Sequence, residues 1–139
     1  MFKFKKMTNA AACIPEIMQI SNPGVDIYEG GLFMMKDGEP YVVNVDNKPE
    51  YVSIRTCGYD DYTIPCIKIQ PNMVFETEIR GEFDELFVGT KLTVEEHGSG
   101  FPIFAKVCDD ESLPNACAEI YNTLGATKSG DKALVTFIV

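Results

Sequence analysis

The sequence has no tryptophan, a single histidine, and only 12 lysines and arginines against 21 aspartates and glutamates. A formal net charge of −9 leaves too little basic surface to neutralise a phosphate backbone, so nucleic acid is not expected as a partner. No apolar run approaches the ~18–20 residues that span a bilayer, so a membrane is not expected either. The lysines of residues 1–6 are not followed by the apolar stretch of an export signal, which makes a soluble, unsecreted chain the expectation. There is also no CxxC pair: Cys13, Cys57, Cys66, Cys108 and Cys117 stand 44, 9, 42 and 9 residues apart. Structural zinc needs two close ligand pairs, and His97 is far from any, so no metal is expected. Buried, reduced thiols are the reading, with a Cys57–Cys66 pairing across a hairpin left open.

What is present is globular in proportion. Hydrophobic residues make up 45% of the 139 and charged residues 24%, enough apolar surface for one core and one domain. From Tyr28 onward, β-branched and aromatic residues recur in short runs with turn residues about every ten positions, the pattern of an all-β barrel or sandwich. Lys36-Asp37-Gly38-Glu39 joins the runs 31–35 and 40–45 as a tight hairpin, because Asp-Gly tolerates the positive φ such a turn requires. Runs at 51–57, 63–70, 73–80, 91–95, 101–107, 116–123 and 133–139 follow. Pro65 predicts an edge position or a bulge for its strand. In the run 73–80, Met73, Phe75, Thr77 and Ile79 alternate with Val74, Glu76, Glu78 and Arg80, giving one charged face. The expectation is a small β-barrel or β-sandwich of about seven to eight strands over residues 25–139. The only helix candidates are residues 10–20, interrupted by Pro15, and residues 83–87.

Catalysis would need His97 as its base, and Glu95-Glu96-His97-Gly98-Ser99-Gly100 reads instead as a solvated turn, with no third orienting group in sequence. Asp60-Asp61, Glu95-Glu96 and Asp109-Asp110-Glu111 lack the alternating spacing of a calcium loop and read as solvated loops between strands. Gly30-Gly31 and Gly98-Ser99-Gly100 lack the Lys-Ser/Thr and helix that phosphate loops need. No cofactor and no enzymatic activity are therefore expected. The aromatics fall mostly at strand positions and read as core rather than as a sugar platform.

Charge is uneven. Residues 69–111 carry ten acids and three bases, whereas Lys3, Lys5 and Lys6 face only Glu16 within the first twenty residues. Residues 1–24 show no strand or helix period and read as an irregular N-terminal arm, apolar and basic. Phe2, Lys3, Phe4, Lys5, Lys6, Met7, Ile14, Ile17, Met18 and Ile20 are its candidate docking residues. Deletion of residues 1–22 should then leave the β domain folded and weaken docking.

Gly30-Gly31 before a first strand, the hairpin Lys36-Asp37-Gly38-Glu39-Pro40-Tyr41, and Val88-Gly89-Thr90-Lys91-Leu92-Thr93-Val94 beside a glycine turn carry a resemblance. So do Ala118-Glu119-Ile120-Tyr121 and Gly130-Asp131-Lys132-Ala133-Leu134-Val135-Thr136-Phe137. In this order of runs the chain resembles the small decoration, or auxiliary, proteins that coat the heads of tailed bacteriophages. The resemblance implies a compact β domain without catalysis that binds the outer surface of the major capsid protein lattice and stabilises the head. It places the protein on the outer capsid of a virion, made in a bacterial host cytoplasm, with neighbouring copies of itself, as in a trimer, as further partners. The alternative is a β-barrel module for carbohydrate or a host-surface ligand, which would gather exposed aromatics in one patch. If the cysteines are reduced, thiol titration of the unfolded protein recovers all five; recovery of three or one would show disulfides.

Overall fold

The computed structural model describes residues 1–8, 15–43, 48–95 and 101–138. Cys13, Ile14, His97 and Val139, and the turn expected at 97–100, lie outside the described residues. The strands in order are β1 (Lys3–Met7), β2 (Ile17–Ser21), β3 (Leu32–Lys36), β4 (Glu39–Val42), β5 (Tyr51–Ser53) and β6 (Thr63–Lys68). They continue with β7 (Met73–Arg80), β8 (Lys91–Glu95), β9 (Phe104–Val107), β10 (Ala118–Asn122) and β11 (Lys132–Phe137). A single 3-10 turn at Leu113–Asn115 is the only helical element among the described residues, and no helix is long and apolar enough to cross a membrane. Residues 83–87 form no helix.

The all-β expectation holds, as a closed barrel with a second sheet beside it. Strands β7, β11, β10, β8 and β9 follow one another in the barrel, which closes where β9 runs parallel to the end of β7 through Ile79↔Ala105 and Arg80↔Lys106. At eight residues β7 is long enough to be shared. Its first half pairs with β1 and its last two residues with β9, both on the side away from β11. The second sheet runs β2-β6-β5-β3-β4. Its Asp-Gly hairpin is as read from sequence: Asp37 has φ 53° and Gly38 φ 81°, both in the left-handed region, between Lys36 and its partner Glu39.

Several strand limits differ from the sequence expectation, each for a local reason. Strand β5 stops at Ser53, whose hydroxyl donates to the Arg55 carbonyl (2.6 Å) and turns the chain. Pro65 is not at an edge, since β6 lies between β2 and β5. Its carbonyl accepts from Ile54 N–H (3.1 Å), so the missing donor points to where β5 has already ended. The run expected from residue 101 begins its strand only at Phe104. Residues 101–103 cross to the second sheet, where Leu32 N–H donates to Pro102 (2.8 Å) and Phe101 stands edge-on to Phe33.

The largest correction concerns the N-terminal segment. Its described residues are not an irregular arm: they carry β1 and β2, raising the count among the described residues to eleven strands, and the helix expected within 10–20 is replaced by β2 over its described part. A bulge between Phe4 and Lys6 hides β1 from a period-2 reading, because the extra residue lets Phe2, Phe4 and Met7 all pack on the core although their spacing breaks alternation. Phe2, only 3% exposed, packs against Phe137 at a tilt (5.5 Å), and Phe4 meets Phe75 edge-on (5.8 Å). Leu32, Val52, Ile67 and Ile69 of the second sheet share one apolar cluster with Phe75, Leu92, Ile120 and Val135 of the barrel, and Phe2 belongs to it. Removing residues 1–22 therefore strips core, contrary to the expectation for an arm. Phe2→Ala should cost about 3–5 kcal/mol in urea unfolding. A change within ~0.5 kcal/mol, the range of ordinary surface substitutions, would contradict the packing described.

Candidate functional site

Of the ten candidate docking residues Ile14 lies outside the described residues, and the other nine divide by exposure. Phe2, Phe4 and Met7 are committed to the core. Lys5 pairs with Glu76 on β7 (3.8 Å), and Lys6 lies over the Tyr121 ring (5.3 Å), so these two cations are engaged on their own barrel; Lys3 is exposed, opposite Glu76 in register. Ile20 packs against the outer cluster of the second sheet, formed by Ile27, Phe33, Cys57, Ile64, Cys66 and Phe101. Ile17, at 63% exposure, and Met18 remain on the surface, on the outermost strand of that sheet.

The loop at the end of that strand was not singled out in sequence. Asn22 follows β2 and binds two loops together. Its side-chain amide donates to the carbonyls of Val25 (3.1 Å) and Gly58 (3.0 Å), while its oxygen accepts from the N–H groups of Gly24 and Val25 (2.9 Å each). Residues 57–62 are closed into a turn by Asp61, whose N–H donates to Gly58 O (3.0 Å) and whose carboxylate accepts Gly58 N–H (2.8 Å). Asp26 accepts from Tyr59 N–H (2.8 Å), and Tyr62 O accepts from Asn22 N–H (2.9 Å). On this tied backbone Tyr59 and Tyr62 are 70% and 90% exposed. A tyrosine has few rotatable bonds, so one held on a fixed loop can bury a large ring against a partner with little loss of side-chain entropy. The reading of the aromatics as core holds for Phe33, Phe75, Phe101, Phe104 and Phe137 and fails for the exposed rings, of which Tyr62 and Tyr59 stand out furthest, ahead of Phe87, Tyr28, Tyr41 and Tyr121. The Tyr-Asp-Asp-Tyr order of residues 59–62 was legible only as a solvated turn.

The acidic loops are structural where they are described. The Asp109 carboxylate accepts Ser112 N–H (2.8 Å), and this bond first, with the Ser112 side chain second, holds it below the usual range; the Asp109 N–H in turn donates to the Ser112 hydroxyl (3.0 Å). Among the described residues no group of three or more His, Cys, Asp or Glu could hold a metal. Cys57, Cys66 and Cys117 are buried free thiols and Cys108 a half-buried one, so the described cysteines form no Cys57–Cys66 bond. Burial, with the neighbouring Cys57 second, pushes Cys66 up to about 11, and burial pushes Cys117 to about 12, so neither is a thiolate at neutral pH. An open cleft of about 610 Å³ lies where β7 meets β9, lined by Arg80, Glu82, Lys106 and Asp109. Its charges are mixed, and Arg80 is already paired with Glu78 (3.5 Å) and stacked on Phe104 (3.8 Å).

No family model matches the chain, and neither does any curated protein or solved structure. If Asn22 organises the tyrosine loop, Asn22→Ala should lower stability by about 1–3 kcal/mol in urea unfolding, since it strands buried or half-buried bonding groups on both loops. No measurable change would mean that the loop is held elsewhere.

Proposed function

We propose that this protein is non-enzymatic and acts by docking its surface on a larger protein assembly, and that this assembly is the outer face of a tailed-phage head. The observation that carries the docking part is the pair of exposed tyrosines on a loop fixed by Asn22, Asp26 and Asp61. A fixed aromatic loop rimmed by polar groups suits protein recognition, where buried tyrosines supply much of the binding energy. The capsid part is supported by the order of strands and turns from Gly30 onward, through which the chain resembles decoration proteins. The docking surface is moved from the N-terminal arm to the tyrosine loop, because Phe2, Phe4 and Met7 are occupied by their own core. In this reading the protein sits on the virion exterior, binds the major capsid protein lattice, and uses no cofactor, nucleic acid or membrane.

A carbohydrate or host-surface ligand is the second reading, favoured by the same two rings, since tyrosine faces also stack on sugars. Co-sedimentation with expanded phage heads tests the first reading. The protein should pellet with the heads, and the double variant Tyr59→Ser, Tyr62→Ser should bind at least roughly tenfold more weakly while retaining its β spectrum. Absence of co-sedimentation, together with tyrosine-dependent retention on a glycan array, would replace the capsid by a sugar. Binding to heads that the double variant leaves unchanged would remove the loop from the docking surface.

A further inference from the structure

The sheet edges of this fold are not equally defended. On β1 the edge carries Lys3, Lys5 and Lys6 with a bulge, and on β4, the far edge of the second sheet, it carries Glu39 and Pro40; both patterns oppose pairing with another strand. At the other edge of that sheet β2 reads Ile17-Met18-Gln19-Ile20-Ser21, with neither charge nor proline. We infer that β2 is a self-association edge, pairing antiparallel with β2 of a second copy about a two-fold axis at Gln19.

The backbone sets that register. Pro65 faces β5, since its carbonyl accepts from Ile54, so the β6 residues on either side, Ile64 and Cys66, bond toward β2. Their partners Ile20 and Met18 therefore bond inward, as Asn22 does to Tyr62, and Ile17, Gln19 and Ser21 direct N–H and C=O away from the sheet. Among the described residues none of these three outward groups has a backbone partner. A two-fold at Gln19 matches all of them at once. Gln19 faces Gln19 of the other copy and Ile17 faces Ser21, each as a pair exchanging both bonds, while Met18 meets Ile20 between them. The same register sets Glu16 opposite Asn22, so no like charges oppose one another, and Pro15 and Pro23 bound the pairing stretch equally on each side of Gln19. Exposed Ile17 and Met18 are covered in the process. The opposing term is the −9 charge of each copy, which salt screens.

Sedimentation velocity of the full chain across the micromolar to millimolar range tests this. The expected result is a concentration-dependent dimer that tightens as salt is raised. Gln19→Pro removes an N–H that the β2–β6 ladder does not use, and Ile17→Lys places a charge on the edge; each should raise the dissociation constant at least roughly tenfold with the β spectrum and melting retained. Should Gln19→Pro fail to fold, Ile17→Lys decides. A wild-type chain that stays monomeric, a trimer, or a dimer indifferent to the folded variants overturns the inference. The Tyr59→Ser, Tyr62→Ser variant should dimerise as the wild type does, which separates this edge from capsid docking.

Discussion

A Cβ on Gly30 would stand 2.7 Å from the Phe2 nitrogen and 2.9 Å from its carbonyl oxygen, distances at which no side chain fits. This approach, sealed by Phe2 N–H donating to Gly30 O (3.2 Å), lets the start of the chain enter between the second sheet and the barrel. Gly30 has φ +74°, so glycine is needed there both for its backbone conformation and for the space. From that point a run of rings, Phe2 on Phe137, Phe137 on Phe75 and Phe75 on Phe4, carries the packing into the barrel. Gly30 N–H also donates to Ser53 O (2.8 Å), so the same residue fixes the second sheet. Residues 101–103 tie the two units again from the other side.

With Phe2 and β1 used as structure, the surface proposed for partners is elsewhere. The tyrosine loop and the β2 edge both lie beyond β1 in the chain, and they are joined by Asn22, which directly follows β2 and holds residues 57–62 in place. The proposed docking through rigid aromatic side chains and the proposed pairing through backbone groups are separable, since one would use Tyr59 and Tyr62 and the other Ile17, Gln19 and Ser21. If both proposals hold, a dimer would engage its support at two loops, multiplying a modest single-site affinity when the spacing fits.

How much of this was legible in the sequence follows the range of each interaction. The Asp37-Gly38 turn and the strand β7 were read with their limits correct, because local turn chemistry and strict alternation define both. The end of β5 was missed because one serine hydroxyl decides it, and the place of Pro65 because a proline is tolerated wherever its neighbour strand has stopped. Strand β1 was missed because a bulge breaks its period, and its two partners, β7 and Gly30, are tens of residues away. Asp61 closes the turn locally on Gly58, but the bonds from Asn22 and Asp26 that tie it to the rest of the structure are contacts at long sequence separation.

Native-state hydrogen exchange tests the central claim, that the Phe2–Gly30 contact makes barrel and second sheet one cooperative body. The amides of Val52 and Ile67 in the sheet should open with the same free energy as those of Phe75 and Val135 in the barrel, and Gly30→Ala should lower all four together. Sheet amides that exchange through a separate, lower-energy opening in the wild type, or a Gly30→Ala chain in which only the sheet amides are affected, would contradict it.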